Sequence, residues 1–372
     1  MDAMGIIFSN VHDDNLRELT ELRTFASVPF GGRYRLVDFI LSNMVNSGIH
    51  HIGVIAKAKY MSLMDHLGNG KEWDLDRKRG GLFIFPPFAR TDPEAGVYKG
   101  RLEALVGVLT FIRRSIAQYV VLSNSDILCN MDFGDVIRSH TESGAQITVV
   151  YRKMPVTESM ASRSTYYHFQ ADGRLDSLAI RPPYGGEQNV SFNMVVMERS
   201  LLEKIVKEAA AYNLQSFDRD FLQRRCRDYR IYGYEHRGVF LRISDIAGYF
   251  EANMRILDQA VRDELFYSHG DIHTKVRDEM PAWYAGEARA VNSLVADGCL
   301  IEGEVEDCVL FRGVHVGKGA RVRKSILMQG AEVGENSRLT YTIIDKDVSV
   351  MPDRVLTGYG SYPMVIGKGS IV

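Results

Sequence analysis

The residues with the clearest chemical potential are Arg33 and Arg35, in V-P-F-G-G-R-Y-R-L-V-D-F-I-L-S-N-M-V-N-S-G from Val28 to Gly48. A guanidinium offers a planar fork of donors that matches phosphate and carboxylate oxygens. The glycines before it make a turn, and the residues after it read as a helix. Leu36, Phe39, Ile40, Met44 and Val45 fall at helical spacing, and Gly48 stands where a helix C-terminus favours it. His50 to Lys57 (H-H-I-G-V-I-A-K) then has the short aliphatic run of a buried parallel strand. A basic turn, a core-facing helix and a buried strand form an α/β unit suited to an anionic ligand.

The elements that position these arginines follow from the rest of the chain. Strands are expected at Met4–Ser9, Leu82–Pro87, Tyr119–Asp126, Ala145–Tyr151, Tyr166–Gln170, Leu175–Ile180 and Val190–Met197. Helices are expected at Gly100–Gln118, Phe133–Ser143, Ser200–Tyr212, Asp218–Asp228 and Asp245–Glu264. The alternation predicts an α/β domain with a mostly parallel, Rossmann-like sheet over residues 1–265. A Pro- and aromatic-containing linker, 266–290, follows. From Val291 to 372 aliphatic residues recur at a six-residue spacing: Val295 and Ile301, Val316 and Val322, and then Leu327, Val333 and Leu339, with Leu294 and Leu300 spaced alike. That period predicts a left-handed parallel β-helix of hexapeptide repeats; an antiparallel sandwich is the competing pattern. A coil of this kind has exposed ends and flanks that suit association with another subunit.

Composition narrows the function classes. The chain has 372 residues, 45% hydrophobic and 25% charged, as in soluble globular proteins. A formal charge of −2 gives no general attraction to nucleic acid. The N-terminus lacks a signal peptide's basic and apolar regions, and no apolar run approaches the ~20 residues of a membrane span. A cytoplasmic protein is therefore expected. Cys129, Cys226, Cys299 and Cys308 are scattered and read as reduced thiols, although Cys299 and Cys308 are close enough in sequence to raise a metal or disulfide pair.

The opening stretch, with N-S-G-I-H-H-I-G-V after it and G-Y-F-E-A-N-M-R-I-L at Gly248–Leu257, resembles ADP-glucose pyrophosphorylase, the glucose-1-phosphate adenylyltransferase family, over nearly the whole chain. The resemblance implies a Rossmann-like nucleotidyltransferase domain followed by the β-helix. It also implies a site that holds a triphosphate, a sugar phosphate and Mg²⁺ in line, with catalysis by positioning and charge stabilisation.

Set against that pattern, the chemistry is altered in four places. The family's glycine-rich loop G-G-x-G-x-R-L is S-N-V-H-D-D-N-L-R-E here, without glycine and with Asp13 and Asp14 adding negative charge. The lysine of K-P-A-V-P-F-G-G is Phe25, whose ring cannot neutralise a leaving pyrophosphate. Of two metal aspartates, Asp126 is the only retained ligand position; Arg242 stands at the other and is expected to pair with Asp126 in place of the cation. At the sugar site F-E-E-K-P becomes L-A-I-R-P, which leaves Arg181 as the one positive group, and Asn193 replaces a glycine. S-F-D-R-D-F at Ser216–Phe221 matches the family's S-D-F-G-K-D only loosely. No metal is expected in this chain.

The resemblance thus implies a non-catalytic paralogue that modulates a catalytic ADP-glucose pyrophosphorylase subunit in a hetero-oligomer, a tetramer, with Mg²⁺ confined to the catalytic sister. The resemblance matches Arg23 and Arg35 to basic positions that bind phosphorylated effectors in the family and puts Arg33 where the family usually has lysine; structural salt bridges are the alternative. Two other function classes compete: an active nucleotidyltransferase with a remodelled site, and a stand-alone sensor of sugar nucleotides or metabolites.

Overall fold

A computed structural model describes residues 2–10, 13–87, 98–156, 164–183 and 185–372. The strand Ala3–Phe8, buried along its whole length, lies inside a nine-stranded sheet. His51–Ile55 pairs with it in parallel on one side and Tyr119–Asn124 on the other, and Gly81–Phe85 continues the parallel order. Glu187–Glu198 joins Tyr119–Asn124 antiparallel and carries the hairpin strands Thr165–Phe169 and Leu175–Ile180. It also pairs with Ile147–Pro155, which takes Ile231–Glu235 in parallel. The chain turns at the C-terminal ends of Ala3–Phe8 and Tyr119–Asn124 therefore share one rim, the usual place for a ligand in such sheets.

The helix Leu36–Asn46 buries every residue but its last, consistent with its apolar sequence. Asp38 starts it by accepting the Arg35 backbone N–H at 2.9 Å. Gly48, at φ +76°, ends it in the left-handed conformation that glycine adopts without a Cβ clash. Two other helices are divided where one was expected. Gly100–Gln118 resolves into Arg101–Gly107 and Leu109–Arg114, because the Val108 N–H tightens onto Leu105. Asp245–Glu264 resolves into Ile246–Arg255 and Gln259–Tyr267, because Asp258 caps the second by accepting from Ala260 N–H at 2.8 Å.

The C-terminal domain is the left-handed parallel β-helix, with three parallel sheets of five short strands. The six-residue run steps round the coil. Val316, Val322 and Leu327 lie in the three sheets in turn, and Val333 and Leu339 begin the next turn above them. All five are buried. The corners are residues in the left-handed region: Gly298, Gly313, Gly330 and Asp347 in one column, Asn292, Asp307, Lys324 and Tyr341 in another, and Gly319, Asn336 and Asp353 in the third. Glycine, Asn and Asp tolerate that conformation, which explains why they punctuate the repeat. Leu294 and Leu300 follow the period but are only half-buried; Val295 and Ile301 beside them face the column.

The β-helix also begins earlier than residue 291. Trp283–Tyr284 pairs with Leu300–Ile301, and Arg289–Val291 with Glu304–Glu306, so 283–290 is the first coil rather than linker. These residues are exposed and lack the inward aliphatic pattern, which hid them in the sequence.

The two domains share a core. Leu19, Phe25, Phe39, Tyr249 and Phe266 from the first pack in one apolar cluster with Val309, Phe311, Ile326 and Ile343 from the second. Inside this junction Arg23 donates both arms of its guanidinium to Asp345, each at 2.9 Å, with both side chains buried.

Candidate functional site

The rim of the sheet is the first place to look for chemistry. A two-residue ribbon pairs Ile127–Leu128 with Leu241–Arg242, antiparallel, with Arg242 opposite Ile127. That register brings Arg242 beside Asp126, and the Ile243 N–H donates to the Asp126 carbonyl at 2.9 Å. The two positions singled out from sequence are neighbours in space. The terminal nitrogens of the guanidinium go to two serines. Arg242 donates through one terminal nitrogen to Ser164 Oγ at 2.8 Å and through the other to the Ser191 carbonyl at 3.2 Å. Burial lowers the Arg242 pKa, and the Asp126 charge works against that fall through space.

Mg²⁺ requires near-octahedral oxygen coordination, usually with one or two carboxylates. Here the ribbon sets an arginine, and not a second carboxylate, beside Asp126, and the Asn193 amide lies 3.5 Å from Asp126 Oδ2. Among the described residues no three His, Cys, Asp or Glu side chains gather as a metal site. The donor set does not suit the ion.

The other rim positions point the same way. Ser9 Oγ donates to the Ile55 carbonyl at 2.9 Å, and Asn10 Oδ1 accepts the Lys57 N–H at 2.6 Å. Side chains thus tie down the turn after the first strand. Asp14 is exposed beyond it; Val11, His12 and the Asp13 side chain lie outside the described residues. Phe25 is completely buried in the shared core. Asp218 holds Arg101 in a two-armed pair at 2.7 and 2.8 Å, so this acid is engaged internally. Arg181 is exposed, at φ +53°, with its backbone N–H on the Ser164 carbonyl.

The second place is a narrow cleft of about 40 Å³ between the opening stretch and the β-helix. Six cations line it: Arg33, Arg35, Lys275, Arg277, Arg312 and Lys346, and no carboxylate does. The ribbon Pro29–Phe30 with Tyr34–Arg35 sets the first two. Arg35 is buried and donates to the Ser62 carbonyl and hydroxyl at 2.6 and 2.8 Å. Burial pulls its pKa down to about 10, against the opposing influence of Asp38. Arg33 is exposed, with its guanidinium 5.8 Å from the Tyr34 ring centroid. Arg312 is also lowered by burial, and the Lys346 ammonium is brought down to about 7 by burial and then by Arg35 and Arg23. Concentrated positive charge, offset in part by Asp65 beside Lys275 and Asp38 beside His66, favours an anion of more than one charge, and guanidinium forks favour phosphate oxygens.

Of the four arginine candidates, the fold therefore unites Arg33 and Arg35, engages Arg23 in an internal ion pair, and leaves Arg181 at the sheet rim. Sequence reading missed Lys275, Arg277, Arg312 and Lys346. A signal existed for each. Lys275 and Arg277 alternate in an extended segment, which puts them on one side. Arg312, Gln329 and Lys346 stack on successive coils, as the hydrogen bonds from Gly330 N–H to Arg312 O and from Asp347 N–H to Gln329 O demonstrate.

Comparison with known proteins agrees with this division. Residues 5–258 match the nucleotidyl transferase family, and residues 282–360 match the GlmU-like C-terminal hexapeptide family. Similar chains include the glycogen biosynthesis protein GlgD of Bacillus subtilis, 36% identical over 99% of this chain and 96% of its own length. GlgD of Geobacillus stearothermophilus is 37% identical with the same coverage. The glucose-1-phosphate adenylyltransferase of Thermotoga neapolitana is 31% identical over 87% of this chain and 76% of its own. The chain belongs to the glucose-1-phosphate adenylyltransferase family of nucleotidyl transferases, in the part that includes the GlgD proteins. No helix among the described residues is long and apolar enough to cross a membrane.

Proposed function

We propose that this chain is a non-catalytic regulatory member of its family. It acts in glycogen biosynthesis by modulating a catalytic glucose-1-phosphate adenylyltransferase subunit within a hetero-oligomer, a tetramer. The observation that carries this reading is the contrast between the two places just described: at the sheet rim Arg242 sits beside Asp126, while at the domain junction six cations line an open cleft. Likeness to proteins named for glycogen biosynthesis supports the pathway. On this reading the chain requires no cofactor, and Mg²⁺ serves the catalytic sister.

The junction cleft is the regulatory site, and its ligand is a small phosphorylated metabolite. Because the cations come from the nucleotidyltransferase-like domain, the connecting segment and the β-helix, bound phosphate would hold the two domains in one relation. A ligand bound more tightly in one arrangement of the assembly than in another changes the sister's activity by that difference. Calorimetric titration of the full chain with inorganic pyrophosphate tests the site. Arg277→Ala is expected to weaken binding about tenfold or more, the usual scale for a charge-assisted hydrogen bond, and Arg181→Ala to leave it unchanged. Equal losses in both variants would refute the assignment.

A further inference from the structure

Two of the six cations in the junction cleft are lysines, and they are held differently. Lys275 donates to the Asp65 carbonyl at 2.6 Å and lies 3.4 Å from its carboxylate. Lys346 has an acid beside it in sequence, but Asp345 gives both carboxylate oxygens to Arg23. What Asp345 offers Lys346 is a bond to its backbone N–H, at 2.7 Å, and not to its ammonium.

The geometry points to Lys346 as a modification site: a small acyl phosphate, seated by its phosphate on the cleft's arginines, transfers its acyl group to Nζ. The inference rests on the cleft being a phosphate site. Among the described residues, the groups that act most on Lys346 are Arg35, Arg23 and Arg277, opposed by Asp345; Arg33, Arg312 and Lys275 lie further round the cleft, with Asp65 beside Lys275 and Asp38 beside His66. Burial and this excess of cations, only partly offset by Asp345, lower its pKa to about 7, so near neutral pH a large fraction is the free amine. An unprotonated lysine near other cations is a nucleophile.

The step balances without a further reagent. The Nζ lone pair adds to the carbonyl carbon, and a C–N bond forms. The bond from that carbon to the bridging phosphate oxygen breaks, phosphate leaves with the electron pair, and the nitrogen gives its extra proton to the departing phosphate. The products are an uncharged acyl-lysine and inorganic phosphate. Arg35, Arg277 and Arg312, which line the same cleft, would offset the charge that accumulates on the leaving oxygen and orient the carbonyl. The modified cleft has lost one cation and holds phosphorylated ligands less tightly.

The test is incubation of the full chain with acetyl phosphate at pH 7.5, followed over time by peptide mass spectrometry. Lys346 is expected to acetylate at least about tenfold faster than Lys275 or the exposed Lys204. Saturating pyrophosphate, and separately Arg277→Ala, are each expected to slow Lys346 at least about fivefold, and acetylated protein to bind pyrophosphate less tightly. Lys346→Arg should lose the fast-labelled peptide, while Lys204→Arg should leave both pyrophosphate binding and the labelling of Lys346 unchanged. If pyrophosphate binds but Lys346 is labelled no faster than the other two lysines, the acyl-transfer inference is wrong and the phosphate site stands. If pyrophosphate neither binds nor protects, both fall.

Discussion

Replacing Arg23 by methionine is expected to destabilise the folded chain by about 3–5 kcal/mol, because it leaves a buried carboxylate without its cation. Asp345 is fully buried, and both its oxygens receive Arg23 nitrogens. The pair lies in the core shared by the two domains, so the loss should lower the urea midpoint of the whole transition and not of one domain alone. Asp345→Leu alone should cost a similar amount by leaving the guanidinium unpaired. The double variant Arg23→Met with Asp345→Leu should recover most of the loss, since apolar side chains of similar volume often replace a buried ion pair at little cost. A change within about 0.5 kcal/mol in the single variants would mean that water reaches the pair and that it does not fasten the junction.

Phe25→Lys has the second large expected effect. Alignment with the catalytic pattern makes this the obvious repair, since the family carries lysine there. The ring is buried among Leu19, Val28, Phe39 and Phe250. Removing it forfeits about 3–5 kcal/mol of packing, and an ammonium in its place adds the cost of desolvation. The variant should unfold at much lower urea than the parent or aggregate, and should make no ADP-glucose. Phe25→Leu, which keeps an apolar side chain of comparable shape, should stay within about 1.5 kcal/mol. A soluble, stable Phe25→Lys protein with measurable turnover would show that the site has lost one charge and little else.

How much of this was legible beforehand differs from place to place. The β-helix could be read because its inward residues and left-handed corners repeat, and each coil copies the constraint of the last. Its first coil could not, because Trp283, Tyr284 and Arg289–Val291 face outward and carry no such constraint. The adjacency of Asp126 and Arg242 followed from alignment alone. The direction of the Arg242 fork did not, since it depends on Ser164 and Ser191 in strands distant in sequence. Arg23 illustrates the limit most clearly. Nothing near it in sequence distinguishes an arginine waiting for phosphate from one paired with Asp345 on a β-helix coil. Arg33 and Arg35 were visible as a basic pair at a turn, and both line the junction cleft. Their four partners required the phase of the β-helix and the course of the connecting segment.

The most direct test is an assay of ADP-glucose formation from ATP and glucose 1-phosphate, with Mg²⁺ present. It compares the purified chain alone, the catalytic adenylyltransferase of the same organism alone, and the two mixed. The chain alone is expected to give no turnover, and the mixture to differ from the catalytic protein in activity or in its response to phosphorylated metabolites. Turnover by the chain alone at a rate comparable to the catalytic protein, or a mixture indistinguishable from the catalytic protein by itself, would contradict the regulatory role.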